Sequence, residues 1–418
     1  MPSLVEALVP ARLGRGFRWL LASGWASNLG DGIALAAGPL LVASTTDDPF
    51  LVALAATAQW LPPLLFSLWA GVLSDRLDRR RIVVAVDAVR ALVLALLVVA
   101  IATGRAPVAV VLVALFLVAT AEVFADNTSS TLLPLLVARE DLAAGNVRLQ
   151  TGFITVNQLA GPPLGAALFT AGAFLPFAAQ AALMALAAVL VSRLVLPPRR
   201  GGRPRSRVRH DVAEGLRWTA HHAAVRTLVL TVFVFNTTFG AAWSVLVLYA
   251  TERLRLGEVG YGLVTTVGAV GGLVGTLAYG AITRRVSLGN LMRAGLVVET
   301  LTHAALALTT SPWVALPVFL VFGVHAFVWG TTSITVRQRA VPAELQGRVG
   351  SVNAVGTFGG LVIGSGAGGL LARDLGVTAP FWFAFAGSAV FLVLVWGQLR
   401  HVAHADEGPG PQPAAPAG

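Results

Sequence analysis

The chain has 418 residues, of which 56% are hydrophobic and 12% are charged, and its net charge is +10. Soluble globular proteins carry about 25% charged residues, so this composition excludes an ordinary water-soluble protein and indicates an all-α polytopic membrane protein. The chain contains no cysteine, which excludes disulfides, thiol catalysis and thiolate metal sites.

Twelve apolar runs are long enough for transmembrane helices, which need about 20 largely apolar residues. The predicted spans are 17–43, 50–74, 82–103, 107–136, 147–172, 174–196, 224–251, 260–283, 290–310, 313–340, 349–373 and 379–399. If both termini are cytoplasmic, the cytoplasmic loops hold 25 of the 30 arginines, all except Arg90, Arg105, Arg253, Arg255 and Arg373. Cytoplasmic loops are enriched in basic residues. We therefore expect a multi-pass protein of the cell membrane with both termini inside, and no nucleic-acid partner.

Acidic residues interrupt the first, third and fourth spans. A carboxylate in the bilayer core is costly, so it usually faces a cavity, has a partner or carries a proton. Asp31 is the leading candidate for proton coupling or substrate binding, with a fold-stabilising hydrogen bond as the alternative. Glu122 and Asp126 are four residues apart on one helix face, and such close like charges disfavour joint ionisation. They are further coupling candidates, or they line a water-filled vestibule; Asp87 and Arg90 are expected to form a local pair.

The stretch GVLSDRLDRRR (71–81) joins the second and third spans and has charges at six of its eleven positions. Gly71 would let the second span approach a neighbouring helix closely. Asp75, at the helix end, would accept hydrogen bonds from the N-terminus of a facing helix. Arg76 and Arg79 would add ion pairs. Together, these contacts would form a conformational latch that holds the helices together in one state of the protein. Alternatively, the arginines only set the orientation of the protein in the membrane.

Two further motifs lie in the fifth span and in the connection between the sixth and seventh spans. Gly161, Pro162 and Gly165 belong to GPPLG, in which proline bends the helix and the glycines allow close packing; the alternative is an ordinary kinked helix. Residues 197–222 begin with a Pro/Gly/Arg-rich linker and end in a short amphipathic helix at 211–222. They separate an N-terminal half (1–196) from a C-terminal half (223–400), and the tail 401–418 is predicted to be disordered.

The two halves resemble each other as degenerate repeats. NTSST (127–131) matches GTTSI (330–334), and GPPLGAAL (161–168) matches GSGAGGLL (364–371) at the same separation of 203 residues. Asn28 and Gly32 correspond to Asn236 and Gly240, and Gly71 corresponds to Gly280. Repeated halves with pseudo-symmetry are typical of secondary transporters.

The C-terminal half contributes one more coupling candidate. His325 in the tenth span is the repeat counterpart of Glu122, so we expect an acid and an imidazole to face each other across one cavity. Glu299 and His303 are four residues apart in the ninth span, and their side chains are expected to hydrogen-bond to each other. The chain has no P-loop, HExxH or nucleophile elbow, so we expect no enzyme, cofactor or metal. A membrane-embedded metal site of Glu122, Asp126 and His325 is the remaining alternative.

In this topology, the 71–81 stretch resembles the signature loop of the major facilitator superfamily, Gly-x-Leu-x-Asp-Arg-x-Gly-Arg-Arg/Lys. The matching residues are Gly71, Leu73, Asp75, Arg76, Arg79 and Arg80, whereas Asp78 stands where many members have glycine. GPPLG resembles the Gly-Pro-x-x-Gly motif of proton-coupled antiporters, although Asn157 replaces the upstream glycine of the longer pattern. The resemblance covers all twelve spans and the linker. Within the superfamily, the chain resembles the branch of enterobactin exporters and macrolide-efflux proteins.

This resemblance implies twelve helices in two pseudo-symmetric six-helix halves and a latch partner in the eleventh span near Val349 and Gly350. It also implies a monomeric secondary active transporter that exports small amphipathic molecules by proton antiport and alternating access. The substrate would be a drug, a macrolide-like compound or a siderophore. Proton-coupled uptake by symport and a non-transporting scaffold remain the alternatives.

Overall fold

The computed structural model describes residues 11–197 and 208–399. The predicted tail at 401–418 and the linker residues 198–207 lie outside the described residues, and so do the side chains of Asp75 and of residues 208–211. Every predicted span contains a helix, although the predicted spans 107–136 and 224–251 extend past the ends of their main helices at Ser129 and Trp243. The described residues contain no β-strand.

Twelve membrane helices follow one another along the chain. They are α1 (Gly14–Thr45), α2 (Pro49–Arg76), α3 (Arg79–Ala102), α4 (Val108–Ser129), α5 (Leu142–Gly152, a π-helix at Phe153–Ala160, and Gly161–Ala171), α6 (Leu175–Ser192), α7 (Ala223–Trp243), α8 (Glu258–Thr283), α9 (Leu288–Leu308), α10 (Pro312–Ala340), α11 (Gln346–Leu375) and α12 (Ala379–Val395). Short helical turns lie at Ala11–Leu13, Leu133–Leu136, Arg139–Asp141, Leu246–Leu248, Tyr249–Arg253 and Ala343–Leu345. Within the described ranges, ten of the twelve are long and apolar enough to cross a membrane as single helices. The other two are the divided α5 and the 17-residue α12.

Local sequence signals set where several of these helices begin. Asp48 accepts a hydrogen bond from the Phe50 amide (2.9 Å), and Pro49 occupies the first helical position of α2. Asp78 accepts from the Arg81 amide (3.1 Å) at the start of α3. These side chains satisfy amides that have no partner within the helix. Asp78, which departs from the superfamily pattern, is therefore the N-cap of α3.

Consecutive membrane helices run in opposite directions, so the loops alternate between the two ends of the bundle. The α2–α3, α4–α5, α8–α9 and α10–α11 connections lie at one end together with the end of α6 and the start of α7, and this end is called here the linker end. The α1–α2, α3–α4, α5–α6, α7–α8, α9–α10 and α11–α12 connections lie at the other end, called the far end.

The buried apolar residues show where the two halves meet. The largest buried cluster combines N-terminal residues such as Leu40 and Val52 with C-terminal residues such as Val245 and Tyr249, which lie toward the far end. At the linker end, each half has buried clusters of its own, for example the one around Phe17 in the N-terminal half. The halves are therefore packed together at the far end and form separate cores at the linker end.

The most extensive contacts between the halves join α2 to α11 and α5 to α8. The hydroxyls of Thr57 on α2 and Ser365 on α11 are 2.9 Å apart. The Thr266 hydroxyl on α8 donates to the Leu159 carbonyl on α5 (3.3 Å). A side chain at Gly369 of α11 would collide with α2, so small residues permit the close approach.

Corresponding residues of the two repeats make corresponding contacts. Asn28 and Asn236 each donate to the carbonyl four residues earlier, both at 2.7 Å. A Cβ at Gly32 would lie 2.8 Å from backbone of α5, and a Cβ at Gly240 would lie 2.7 Å from backbone of α11. Thus α1 packs on α5 as α7 packs on α11, which is the arrangement of a structural repeat.

The linker helix (Val208–His221) packs on the C-terminal half. Its Glu214 pairs with Arg348 of α11 at 2.7 Å. A Cβ at Gly215 would lie 2.5 Å from the Arg348 carbonyl oxygen, so glycine lets the two helices touch. The sequence predicted this helix at 211–222, and it begins three residues earlier in the structure.

Candidate functional site

A cavity of about 720 Å³ lies in the N-terminal half among α1, α3, α4 and α5. Its apolar lining includes Leu20, Val83 and Leu133, which belong to the linker-end portion of this half. Its polar lining residues are Ser23, Ser27, Asn28, Asp31, Asp87, Glu122, Asp126, Ser129, Ser130, Asn146, Gln150 and Asn157. All the acidic residues predicted inside the first, third and fourth spans therefore line one cavity.

The guanidinium of Arg90 connects three of these acids. The Arg90 side chain is 0% exposed, and its Nη2 donates to Asp31 Oδ1. Nη1 lies 3.5 Å from Asp87 Oδ1, and Nη2 lies 3.8 Å from Glu122 Oε2. One buried cation thus joins carboxylates from α1, α3 and α4, a group called here the Arg90 cluster.

Packing around α1 holds Asp31 in this position. Gln180 of α6 donates to Asp31 Oδ1 at 3.3 Å, and Ser27 donates to Oδ2 at 3.4 Å. A Cβ at the neighbouring Gly30 would lie 2.6 Å from the methyl group of Met184, so glycine brings α1 against α6. The carboxylate of Asp31 therefore accepts hydrogen bonds from side chains of three helices, α1, α3 and α6.

The acids in this cavity outnumber the cations. Asp87 and Asp31 have side-chain exposures of 3% and 11%, whereas Glu122 is 35% exposed. Asp126 lies one turn beyond Glu122, is exposed and lines the same cavity. Four carboxylates around one guanidinium leave an excess of negative charge, which is costly in a low-dielectric environment. The arrangement therefore favours the uptake of a proton or of a positively charged group from the cavity.

Arg90 has more partners than its spacing along the sequence predicts. The predicted local pair with Asp87 is present, and the structure adds Asp31 and Glu122 from two other helices. One signal in the sequence marked this residue. Arg90 lies eight residues inside its predicted span, whereas every other arginine within a predicted span lies within three residues of the end of that span. Charged residues deep in a membrane helix usually face the interior of the bundle with a partner.

His325 lies in the other half and not opposite Glu122. Its Nε2 is 3.4 Å from Glu299 Oε2, and the second oxygen of Glu299 is 2.8 Å from Nε2 of His303. The predicted meeting of Glu122 and His325 across one cavity is therefore wrong for this conformation, because each residue pairs within its own half. The predicted Glu299–His303 contact is present. In the described part of the chain, no group of three or more acidic or histidine side chains is arranged to hold a metal ion.

The described residues of the 71–81 stretch make contacts within the N-terminal half. Arg80 Nη1 donates to the Leu194 carbonyl beyond α6 (3.0 Å), and Arg79 Nε donates to the Ser74 carbonyl (3.4 Å). A Cβ at Gly71 or at Gly350 would meet nothing within 4 Å. In this conformation, therefore, the start of α11 does not pack against Gly71, and the predicted latch is untested.

The GPPLG motif lies where α5 packs on α1. A Cβ at Gly161 would lie 2.5 Å from Gly32 Cα, so this pair of glycines allows backbone contact. Pro163 has no amide hydrogen to donate to the Leu159 carbonyl, and that carbonyl accepts from Thr266 of α8 instead. The motif thus joins α5 both to α1 and to the other half of the protein. The π-helix directly before it is the kind of irregularity that often accompanies functional sites.

Comparison with known proteins agrees with this architecture. Residues 6–411 match the sequence pattern of a family described as transmembrane secretion effector. The multidrug efflux pump Tap of Mycolicibacterium fortuitum is 28% identical over 395 residues, which cover 90% of this chain and 91% of that protein.

Solved structures share the fold. A bacterial homologue of the iron transporter ferroportin, in its inward-facing state, superposes with a TM-score of 0.73 at 20% identity and covers 93% of this chain and 98% of its own. The nucleoside transporter NupG has a TM-score of 0.72 at 12% identity, covering 93% of this chain and 99% of its own. The predicted fold class is therefore confirmed. The chain is a multi-pass membrane transporter that belongs to the transmembrane secretion effector family of the major facilitator superfamily.

Proposed function

We propose that this protein is a secondary active exporter that exchanges protons for small amphipathic molecules. The observation that carries the proposal is the Arg90 cluster, in which one buried guanidinium faces several carboxylates at the wall of a cavity of about 720 Å³. A buried site with excess negative charge gains from binding one positive charge at a time, because that charge offsets the repulsion among the acids. A proton and a cationic or polar group of the substrate then compete for the same carboxylates.

Asp31 is the central residue of the proposed exchange. Its carboxylate accepts hydrogen bonds from Arg90, Gln180 and Ser27. When Asp31 or Glu122 binds a proton, Arg90 loses part of its counter-charge and its preferred partner changes. That change alters the contacts among α1, α3 and α4, which is how protonation would bias the conformation of the N-terminal half.

Alternating access supplies the transport cycle. The halves meet at the far end through Thr57 and Ser365 and have separate cores at the linker end. Most arginines lie in loops of the linker end, which supports a cytoplasmic position for that end and for both termini. The described conformation is then inward-facing, in the cell membrane.

The opposite state would close the linker end. Gly71 has open space beside it here, and closure would bring α2 against the start of α11, as the latch of Gly71, Asp75, Arg76, Arg79 and Arg80 requires. Rigid halves that rock about a central site are the usual way in which such transporters work. This cycle needs only contacts that form within one chain, so we propose that the transporter is a monomer.

The similarity to multidrug efflux pumps named Tap supports export rather than uptake. The GPPLG motif, which resembles that of antiporters, supports the same direction. A drug, a macrolide-like compound or a siderophore are the proposed substrate classes. Uptake by proton symport would use the same carboxylates, so direction must be measured.

The test is accumulation of a panel of dyes and macrolides by inverted membrane vesicles under an imposed pH gradient. Wild-type vesicles should accumulate at least one compound, and Asp31→Asn should abolish the gradient-dependent part. Asp374→Asn is the matched control, because Asp374 is 60% exposed and forms only a surface pair with Arg373. Accumulation that survives in Asp31→Asn, or that ignores the gradient, would refute proton coupling through this cluster.

A further inference from the structure

The C-terminal half contains a second buried group of titratable side chains. Glu299 is 1% exposed, and each of its carboxylate oxygens faces the Nε2 atom of a different imidazole: Oε1 faces His303 at 2.8 Å and Oε2 faces His325 at 3.4 Å. His303 and His325 are themselves 0% and 4% exposed. Three groups that could each carry a charge are therefore removed from solvent together.

This group occupies the repeat position of the Arg90 cluster, with the charges exchanged. Arg79, where α3 begins, and Leu288, where α9 begins, are 209 residues apart, and Arg90 and Glu299 are separated by the same distance. In the N-terminal half, the α3 residue is the base and pairs with an acid of α4; in the C-terminal half, the α9 residue is the acid and pairs with a base of α10. A buried contact between an acid and a base thus joins these two helices in both halves.

The two clusters differ in the kind of cation that they contain. Arginine stays charged at any physiological pH, whereas histidine gains and loses its proton near neutrality. Helices α7, α10 and α12 surround the α9 group, and within their membrane-spanning parts His325 is the one titratable side chain. The other charged or titratable residues of these helices, of the turn after α7 and of α9 itself lie at the two ends and are Arg226, Tyr249, Glu252, Arg253, Arg293, Arg337 and Arg339.

Three of these end groups contact α9 or belong to it, and each donates to a backbone carbonyl. Arg253 donates to the Thr309 carbonyl (3.2 Å) and the Tyr249 hydroxyl to the Leu306 carbonyl (2.7 Å), while Arg293 donates to the Trp396 carbonyl (3.1 Å). Aromatic rings fill the remaining space: Trp243 contacts His303 edge-on at 6.0 Å, and Phe235 contacts His325 at 6.1 Å. The negative charge of Glu299 is therefore balanced only when one of the two imidazoles carries a second proton.

The hydrogen-bond geometry identifies where a proton would bind. In a neutral His303, the Nε2 that donates to Glu299 Oε1 leaves Nδ1 as the proton acceptor. The Nδ1 atoms of His303 and His325 are both buried and have no hydrogen-bond partner among the described residues, and Nε2 of His325, 3.4 Å from Glu299 Oε2, has none either. A proton that binds to one Nδ1 creates an imidazolium beside an ionised Glu299, which changes the net charge of the group from −1 to 0.

We propose that Glu299, His303 and His325 form a second protonation site, separate from the Arg90 cluster, in which an imidazole binds one proton on its unpartnered Nδ1. The two halves then each respond to protons, one through carboxylates around a permanent cation and one through imidazoles around a carboxylate. The effect of this site on export rests on the proposed function, whereas proton binding itself does not.

Proton binding is measured directly by ¹⁵N NMR of histidine-labelled protein in detergent micelles between pH 5 and pH 8. His303→Gln and His325→Gln assign the two buried signals, and His221, which lies on the exposed linker helix with Nδ1 at 2.7 Å from the Arg217 carbonyl, is an internal reference. We expect one buried imidazole to bind a proton on Nδ1 within this range. Glu299→Gln, which keeps the shape of the side chain, should displace that titration by about one pH unit or more and leave His221 unchanged.

Two results would overturn the inference. One is that both buried imidazoles keep a single protonation state from pH 5 to pH 8. The other is that the titration has the same midpoint in wild type and in Glu299→Gln. Neither depends on flux, so failure of this inference leaves the Asp31→Asn vesicle experiment as an independent test of antiport. Conversely, loss of the antiport proposal would leave the titration result standing.

Discussion

Replacement of Arg90 by methionine tests whether the buried guanidinium stabilises the N-terminal half. Methionine keeps most of the apolar stem and removes the charge. Asp31 and Asp87 would then be left 11% and 3% exposed without their cation, whereas Glu122, at 35% exposure, is partly screened by the cavity. Removing one partner of a buried ion pair costs about 3–5 kcal/mol, because an uncompensated charge remains. We expect the free energy of unfolding to fall by about that amount, chiefly because of Asp31 and Asp87.

The free energy of unfolding is measured by SDS titration of the purified protein in mixed micelles, with circular dichroism as the readout. Arg105→Met is the matched control, because Arg105 is exposed in the α3–α4 loop and surface substitutions usually change stability by only about 0.5 kcal/mol. The double variant Arg90→Met/Asp31→Asn separates charge from packing. Asparagine needs no cation, so the double variant should be less destabilised than the sum of the single variants by roughly 1–3 kcal/mol.

Two outcomes would refute this reasoning. If Arg90→Met lowers the free energy of unfolding by less than about 1 kcal/mol, the guanidinium does not neutralise the buried acids. If the effects of Arg90→Met and Asp31→Asn are additive, the two side chains do not interact in the folded protein.

Two further predictions concern helix packing and the contact between the halves. Gly161→Ala should destabilise the protein by about 1–3 kcal/mol, because its Cβ would lie 2.5 Å from Gly32 Cα. Gly366→Ala, whose Cβ meets nothing within 4 Å, should be neutral or slightly stabilising; equal effects in the same SDS titration would contradict the packing argument. The natural chain has no cysteine, so the double variant Thr57→Cys/Ser365→Cys contains a single pair of cysteines. The two hydroxyl groups that they replace lie 2.9 Å apart. The pair should form an oxidant-dependent disulfide that stops export and is reversed by reductant, and full export in the cross-linked protein would show that the far end need not open.

Much of the membrane architecture follows from the sequence because a bilayer imposes strong local rules. A span must be apolar over about 20 residues, and its backbone must be satisfied by helical hydrogen bonds, so each of the twelve spans contains a helix. The repeat was also visible, since Asn28 and Asn236 make the same hydrogen bond in both halves. The fifth span does not form one continuous α-helix, because a π-helix at Phe153–Ala160 directly precedes the prolines of GPPLG.

The partners of the charged residues required the tertiary structure. Spacing along one helix correctly paired Asp87 with Arg90 and Glu299 with His303, because residues three or four apart share a face. It could not show that Asp31 and Glu122 reach the same guanidinium, or that His325 joins Glu299.

By itself, the sequence determined the membrane-spanning class, the helix positions, the superfamily resemblance and the identity of the buried charges, because hydropathy and spacing are local properties. Only the tertiary structure decided which charges meet, that the halves touch at the far end, and that each half has its own buried ionic group. Those features depend on how separate helices pack, and residues that lie 59 positions apart, such as Asp31 and Arg90, are brought together by that packing alone.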